Sequence, residues 1–386
     1  MDKIKLLVLS WRDIKNPLAG GAERYIHEVC KRMVQDGHEV LFFTSFFQGA
    51  KGEEVIDGVK IIRRGNPITI YPLAFLYYML HWRRRFNCVL EVKDGGLPWF
   101  ARFYAGKHVI ALVHQAGRDF SRHSYMNSTW RYEVKGILAP LIYLLEPLLL
   151  STYKLTPVIA VSRSTKMNLL KLGLDPNAVT IVHGGLSLKP VENIPKKEKD
   201  PTIIYLGRIK RSKGLSELIV ALYYVRKNIQ NVKLWVAGRG DSSYLTELMR
   251  FIDKLGLINN LEFFGYVDEK TKINLLSRAH LLVFPSVMEG WGLTVIEANA
   301  CGTPVIAFNV PGLRDSIING ETGLLVPYGD VKALANAIIK VLSEDELRAK
   351  LSKNAIKWAE KFSWEKTAKE FEKILEKVFN NDETQY

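Results

Sequence analysis

Short apolar runs alternate with helix-patterned stretches along the chain, and that alternation leaves few folds open. In the first half the runs are Ile4 to Ser10, Glu39 to Thr44, Val59 to Arg63, Cys88 to Val92, Val109 to His114, Val158 to Ser162 and Val179 to His183. Apolar strands separated by helices predict a parallel sheet with helices on its faces. The Pro- and Lys-rich stretch SLKPVENIPKKEKDP, Ser187 to Pro201, has no apolar period and reads as a linker. Beyond it the pattern starts again, with strands expected at Thr202 to Leu206, Lys233 to Ala237, Leu261 to Phe264, Leu281 to Phe284 and Pro304 to Phe308. The expected fold class is therefore α/β, with two doubly wound domains at 1–188 and 202–363 joined by 189–201. At 386 residues the chain is too long for one ordinary core.

Charge is uneven. Residues 1–188 carry +10 of the net +14, so the first half could face nucleic acid, an anionic membrane surface or an acidic substrate. No RNP-like or zinc-finger pattern is present, and nucleic acid ranks last of the three. Cys30, Cys88 and Cys301 form no C-x-x-C pair, which argues for a reducing compartment and against structural zinc. MDKIKLLVLSW reads as a first strand and not a signal peptide, so the sequon Asn127-Ser128-Thr129 is discounted. Two apolar stretches, Tyr71 to Trp82 and Ile137 to Leu150, are too short or too interrupted to span a bilayer. Each packs on the sheet as a helix, or lies on an anionic surface with one face. The first, running into Arg83-Arg84-Arg85, suits the surface better.

Candidate chemistry sits at loops that follow strands. In EGWGLTVIE, Glu289 to Glu297, Gly290 and Gly292 precede a helix opening at about Leu293, whose N–H groups suit an anion. Glu289 and Glu297 bracket that site and suit hydroxyls. GRIKRSKG places Arg208 and Lys213 after a strand, where a guanidinium fork and an ammonium suit a diphosphate; a solvated basic turn is the alternative. Gly20-Gly21 opens a helix and is a phosphate loop or a plain turn, without the full dinucleotide fingerprint. Glu23 is a helix-dipole partner or a ligand contact. His114 ends a strand, where open α/β sheets bind ligands, or is a satisfied structural histidine. Arg118 and Arg122, with Arg131 and Lys135, add positive charge to the same domain. No histidine, cysteine or carboxylate spacing suggests a metal.

Together GGAERY, GRIKRSKG and EGWGLTVIEANACGTPVIAF resemble a retaining nucleotide-sugar glycosyltransferase of family four, with the GT-B fold. The resemblance spans nearly the whole chain and keeps motif order. It implies two Rossmann-like domains facing across a cleft, the second binding the donor and the first the acceptor, with 364–386 packing back on the first. It implies that Arg208 and Lys213 hold the donor diphosphate, Glu297 the ribose and Glu289 the transferred sugar. Gly290, Trp291, Gly292 and Leu293 complete the phosphate site through backbone N–H groups, with Gly20 and Gly21 opposite. Tyr266 and Val267 border the base, Gly238 lies at a neighbouring strand end, and His114 lies near the reacting sugar. Glu23, Arg118 and Arg122 are the acceptor-side candidates. One departure stands out: His183-Gly184-Gly185-Leu186-Ser187 replaces the Asn-Gly-Val-Asp stretch common in relatives, so an acidic residue is missing there.

The expected reaction is metal-independent and cofactor-free transfer of a hexose from a UDP- or GDP-sugar, because the sequence offers fixed cations and no D-x-D motif. The resemblance implies attack on the face that the diphosphate leaves, with the departing phosphate taking the proton. The acceptor expected is a lipid-linked glycan or glycolipid at the cytoplasmic membrane face. A soluble sugar or glucan acceptor is the alternative, and a non-catalytic sugar-nucleotide-binding subunit is the alternative of another class.

Overall fold

A computed structural model describes residues 3–94, 97–106, 108–116, 145 and 147–380. They divide into two compact units: one takes in the described residues up to 185 and those from 363 onward, the other 186–362.

The first unit is built on an eight-stranded sheet: β1 Lys5–Leu9, β2 Glu39–Ser45, β3 Glu53–Ile56, β4 Val59–Arg64, β5 Cys88–Lys93, β6 Val109–Val113, β7 Val158–Ala160 and β8 Val179–Ile181. Its order is β3-β4-β2-β1-β5-β6-β7-β8. Every pairing is parallel except β3 with β4. The strand β1 is buried from Leu6 to Leu9, as a strand covered on both faces must be. Order runs outward in both directions from the β1/β5 pair, which makes that pair the switch point of the sheet.

The second unit holds β9 Thr202–Leu206, β10 Lys233–Ala237, β11 Leu261–Gly265, β12 Leu281–Phe284, β13 Val305–Phe308 and β14 Gly323–Val326. The order is β11-β10-β9-β12-β13-β14, parallel throughout. Here the switch point lies between β9 and β12. Helices Ser242–Lys254, Glu269–Arg278 and Val331–Ser343 each begin at an aspartate, Asp241, Asp268 or Asp330, whose carboxylate accepts a first-turn N–H.

Some elements differ from the sequence reading. The hairpin β3/β4 turns at Asp57-Gly58, both at positive φ, and β14 closes the second sheet; neither β3 nor β14 was expected. Helices Ala101–Ala105 and Arg163–Lys171 were also unread. The stretch 189–201 is no loose linker: Val191 N–H donates to Ala300 O, Glu198 N–H to Arg278 O, and Lys197 Nζ to Ser277 O, Gly302 O and Thr303 Oγ1. Its polar composition hid a segment held by main-chain bonds and one half-buried lysine. The apolar stretch near Tyr71 forms helix Ile70–Tyr77, continuing as a π-helical turn through Trp82. Ile70, Ala74, Tyr78 and Trp82 enter the core with Leu7, Leu9, Leu41 and Phe43. Of the stretch Ile137 to Leu150, all but residues 145 and 147–150 lies outside the described residues.

Helix Trp364–Asn380 belongs to the first unit. Trp364 and Phe371 are buried, Trp364 meets Tyr25 edge-on at 5.8 Å, and Glu365 accepts from Arg32 of helix Gly21–Gln35 at 2.7 Å. The missing acid near residue 187 has a neighbour that explains the local glycine. A Cβ on Gly185 would stand 2.3 Å from both Ser363 C and Trp364 N, so only a bare backbone fits there.

Candidate functional site

At the switch point of the second unit the loops after β9 and β12 are laced together. Ser212 O accepts from Val287 N–H at 3.0 Å and from Ser286 Oγ at 3.2 Å. Gly214, at φ +75°, lies where a Cβ would meet Pro285 O at 1.9 Å. This lacing brings Lys213 and Glu289 into contact, Nζ to Oε1 2.5 Å, with both side chains mostly buried. Lys213 Nζ also stands 5.8 Å from the centroid of Phe284, the last residue of β12. Arg208 is half-buried on the same loop, and its carbonyl accepts from the buried Tyr205 hydroxyl at 2.9 Å.

Beyond Glu289 the chain turns through Gly290 and the buried Trp291 to Gly292, which caps helix Leu293–Ala300 at φ +89°. The first-turn N–H groups of Leu293 and Thr294 have no carbonyl a turn earlier to bond, so this terminus can receive an anion. The ring of Trp291 packs on Phe362 at 5.2 Å, which leaves its main chain as the part that can face a ligand. Glu297, one turn into the helix, is buried and its Oε1 lies 2.7 Å from Lys272 Nζ. Lys272 was not singled out from sequence, because a lysine on a polar helix reads as a solvated one.

The neighbouring strand ends are stitched to the same edge. Gly238 N–H donates to Gly265 O at 2.7 Å and Ile209 N–H to Arg239 O at 2.7 Å. Tyr266 is exposed, and the guanidinium of Arg239 lies over its ring at 4.3 Å. Val267 packs against the core of this unit. Arg208, Lys213, Gly238, Tyr266, Glu289 and the helix terminus at Leu293 thus follow adjacent strands β9, β10, β11 and β12 at one edge of one sheet.

In the first unit the loop after β1 carries Arg12, which lies 2.7 Å from Glu23 Oε1 and 3.1 Å from Asp94 Oδ2. The other Glu23 oxygen accepts from Gly20 N–H at 2.7 Å. Glu23 thus ties the helix terminus to Arg12: it is buried, and both oxygens are bonded within the unit. Burial, with Asp94 nearby, raises its carboxyl above the ordinary range, against the pull of Arg12 and the Gly20 N–H. Gly20 and Gly21 open the helix as a turn of this network. Arg12 and Asp94 escaped the sequence reading, although Arg12 lies in the loop that leads to Gly20-Gly21 and Asp94 directly precedes Gly95-Gly96.

His114 follows β6 and is buried, with Tyr25 edge-on at 5.3 Å and its carbonyl bonded to Thr165 Oγ1. Among the described residues its Nε2 meets no hydrogen-bond partner. Burial lowers its pKa to about 4, with Asp94 opposing, so the ring is neutral near pH 7. Arg118 and Arg122, like Arg131 and Lys135, lie outside the described residues.

Two Rossmann-like units, one with cations and a helix terminus at its switch point, define a protein that handles nucleotides or their sugar conjugates. The family comparisons specify which. The model described as "Glycosyltransferase Family 4" matches residues 19–189, and "Glycosyl transferases group 1" matches 189–358. An uncharacterized glycosyltransferase of Methanocaldococcus jannaschii is 27% identical over 95% of this chain and 96% of its own. Among solved structures, sucrose-phosphate synthase from Thermosynechococcus elongatus aligns with a TM-score of 0.77 at 22% identity, over 98% of this chain and 100% of that one. Anabaena HepE in complex with UDP-glucose aligns at 0.73 and 18%, over 97% and 100%. The chain belongs to glycosyltransferase family four, with the GT-B fold. It is an enzyme, a hexosyltransferase.

Proposed function

We propose that the enzyme transfers a hexose from a UDP- or GDP-sugar, with retention and without a metal, to a lipid-linked glycan or glycolipid at the cytoplasmic membrane face. The observation that carries the donor half is the Lys213–Glu289 contact beside the helix terminus at Leu293. An ammonium, the Arg208 guanidinium and a helix N-terminus at one sheet edge supply fixed positive potential where a departing diphosphate gathers charge. UDP-glucose in the Anabaena neighbour supports a donor of this class.

On this reading each residue has a role. Lys213 and Arg208 hold the diphosphate, while Glu289 accepts from hydroxyls of the transferred sugar and fixes its orientation. Glu297 accepts from the ribose hydroxyls, and the main chain around Tyr266 and Val267 borders the base. The sugar–phosphate bond breaks as the acceptor hydroxyl approaches from the face the diphosphate leaves, and the departing phosphate oxygen takes the hydroxyl proton. The configuration at the sugar carbon is kept. His114, neutral and with Nε2 unpartnered among the described residues, offers a hydrogen bond to a sugar hydroxyl.

The membrane half rests on the first unit. Pro72, Phe75, Leu76, Met79 and Leu80 recur at helical spacing on the solvent side of Ile70–Trp82, and the exposed Arg83, Arg84 and Arg85 continue that side. Phe103 is exposed next to Tyr104, whose ring meets Phe75 at 5.4 Å. An apolar stripe that runs into arginines suits the boundary of an anionic bilayer. Among the described residues no helix is long and apolar enough to cross a membrane.

The deciding experiment is a panel of UDP- and GDP-hexoses, with lipid-linked and free-sugar acceptors, with and without EDTA, read as nucleoside-diphosphate release and by product anomer. Turnover that persists in EDTA on a lipid-linked acceptor, with a retained anomer, is expected. Loss of all turnover in EDTA, restored by a divalent ion, overturns the metal-free mechanism; activity on free sugars alone overturns the lipid acceptor.

A further inference from the structure

Lys272 occupies a position that stability alone does not explain. It lies on the buried side of helix Glu269–Arg278 together with Leu275 and Leu276, while Lys270, two residues earlier, is exposed. An apolar side chain would fill that side at no electrostatic cost, since a buried ion pair is often no more stabilising than the hydrophobic residues that could replace it. The ammonium instead reaches across to the helix Leu293–Ala300, 2.7 Å from Glu297 Oε1, and lies 2.9 Å from Glu269 Oε1 in its own first turn. Both Lys272 and Glu297 are less than a tenth exposed.

We infer that Lys272 is a positioning residue that fixes the plane of the Glu297 carboxylate and joins it to the loop that borders the base. This rests on the reading of Glu297 as the ribose contact. The loop Gly265 to Val267 runs into Asp268, which caps the Lys272 helix by accepting from Thr271 N–H at 2.7 Å. Loop, cap, lysine and carboxylate form one continuous connection from base to ribose. A carboxylate free to rotate would present its lone pairs to the ribose hydroxyls only part of the time. One held by an ammonium presents them at a fixed angle, which is the condition for a strong charge-assisted hydrogen bond. Lys272 touches no part of the substrate in this scheme and acts through Glu297.

The test compares UDP and GDP with their 2′,3′-dideoxy counterparts by titration calorimetry on the full chain, using whichever base binds more tightly. The wild type is expected to favour the ribonucleotide by roughly tenfold or more, the worth of a charge-assisted hydrogen bond. Lys272→Met and Lys272→Gln are expected to reduce that preference to under about threefold, while Lys272→Arg, which keeps the charge, retains most of it. Melting temperatures certify that each variant is folded, and either neutral variant suffices if the other is not. A folded neutral variant that keeps the full ribose preference, when Glu297→Gln has lost it, overturns the role of Lys272. A wild type with no ribose preference, or one that Glu297→Gln leaves intact, instead overturns the ribose reading of Glu297.

Discussion

Lys213 Nζ and Glu289 Oε1 meet at 2.5 Å although 76 positions separate them in the chain. Without a donor the pair is self-neutralising, so the ammonium and the carboxylate compete with the ligand groups each is proposed to bind. Glu289→Gln releases Lys213 for phosphate and removes the contact to the sugar. Free nucleoside diphosphate is expected to bind several-fold more tightly to this variant while turnover collapses. Lys213→Ala is expected to lower turnover by about 10²- to 10³-fold, as removal of other preorganised electrostatic groups does. Calorimetry and diphosphate release check both, and Glu289→Gln with unchanged nucleotide affinity would show that the pair is no brake on binding.

The lacing of the two loops makes Gly214 a sensitive point. A methyl group there would stand 1.9 Å from Pro285 O at φ +75°, so the β9 and β12 loops must separate to admit it. Gly214→Ala is expected to cost about 2 kcal/mol or more in stability and to abolish the Lys213–Glu289 contact. Chemical denaturation and the donor KM measure the two effects. A variant as stable as wild type would mean that the loops move apart freely.

Buried titratable groups give the first unit a two-sided pH response. His114 has its folded pKa pulled to about 4 by burial, so the unfolded chain takes the proton first; stability from its neutral ring is full above about pH 6.5 and is lost as pH falls toward 4. Glu91 has its value pushed up to about 8 by burial, against hydrogen bonds from the Trp99 and Ala101 N–H groups. Its contribution has the opposite sign, full below about pH 4.5 and lost as pH rises through 8. The melting temperature is therefore expected to fall between pH 6.5 and 8.5, and Glu91→Gln to flatten that fall. Parallel wild-type and variant curves across this window would exclude Glu91 as its cause.

The apolar stripe gives a physical test of the membrane reading. Leu80 is 67% exposed and Leu76 48%, so neither supports the core. Leu76→Glu with Leu80→Glu is expected to abolish co-sedimentation with phosphatidylglycerol vesicles at low salt, with no loss of melting temperature or nucleotide affinity. Phosphatidylcholine vesicles should bind the wild type weakly, because they offer Arg83, Arg84 and Arg85 no net charge. Equal binding of wild type and double variant would place the contact elsewhere.

The two sheets were legible because their central, parallel strands are uninterrupted apolar runs, such as Lys5–Leu9 and Thr202–Leu206. The edge strands were not: Glu53–Ile56 is half exposed and short, although Asp57-Gly58 after it is a hairpin turn signal. The glycine loops located Lys213 and Glu289, since a backbone that must approach a ligand leaves a compositional mark. Lys272 and Arg12 leave none of their own, and Asp94 only the Gly95-Gly96 that follows it. Their meaning comes from which carboxylate or guanidinium the fold sets opposite them, and a long polar side chain reads the same in sequence whether solvated or buried. Residues 189–201 misled for a related reason, because hydrogen bonds from Val191, Lys197 and Glu198 need no apolar period.

The helix Trp364–Asn380 gives the molecule an unusual birth order. Its Trp364 and Phe371 help close the first unit against Tyr25 and helix Gly21–Gln35, yet a ribosome releases it only after all of 186–362. Folding during synthesis proceeds unit by unit as chain emerges. Here the second unit can be complete while the first still waits for its last element, with the Tyr25 side of its opening helix bare. The part made first is the part finished last, and a nascent chain stalled within 186–362 holds an incomplete first unit.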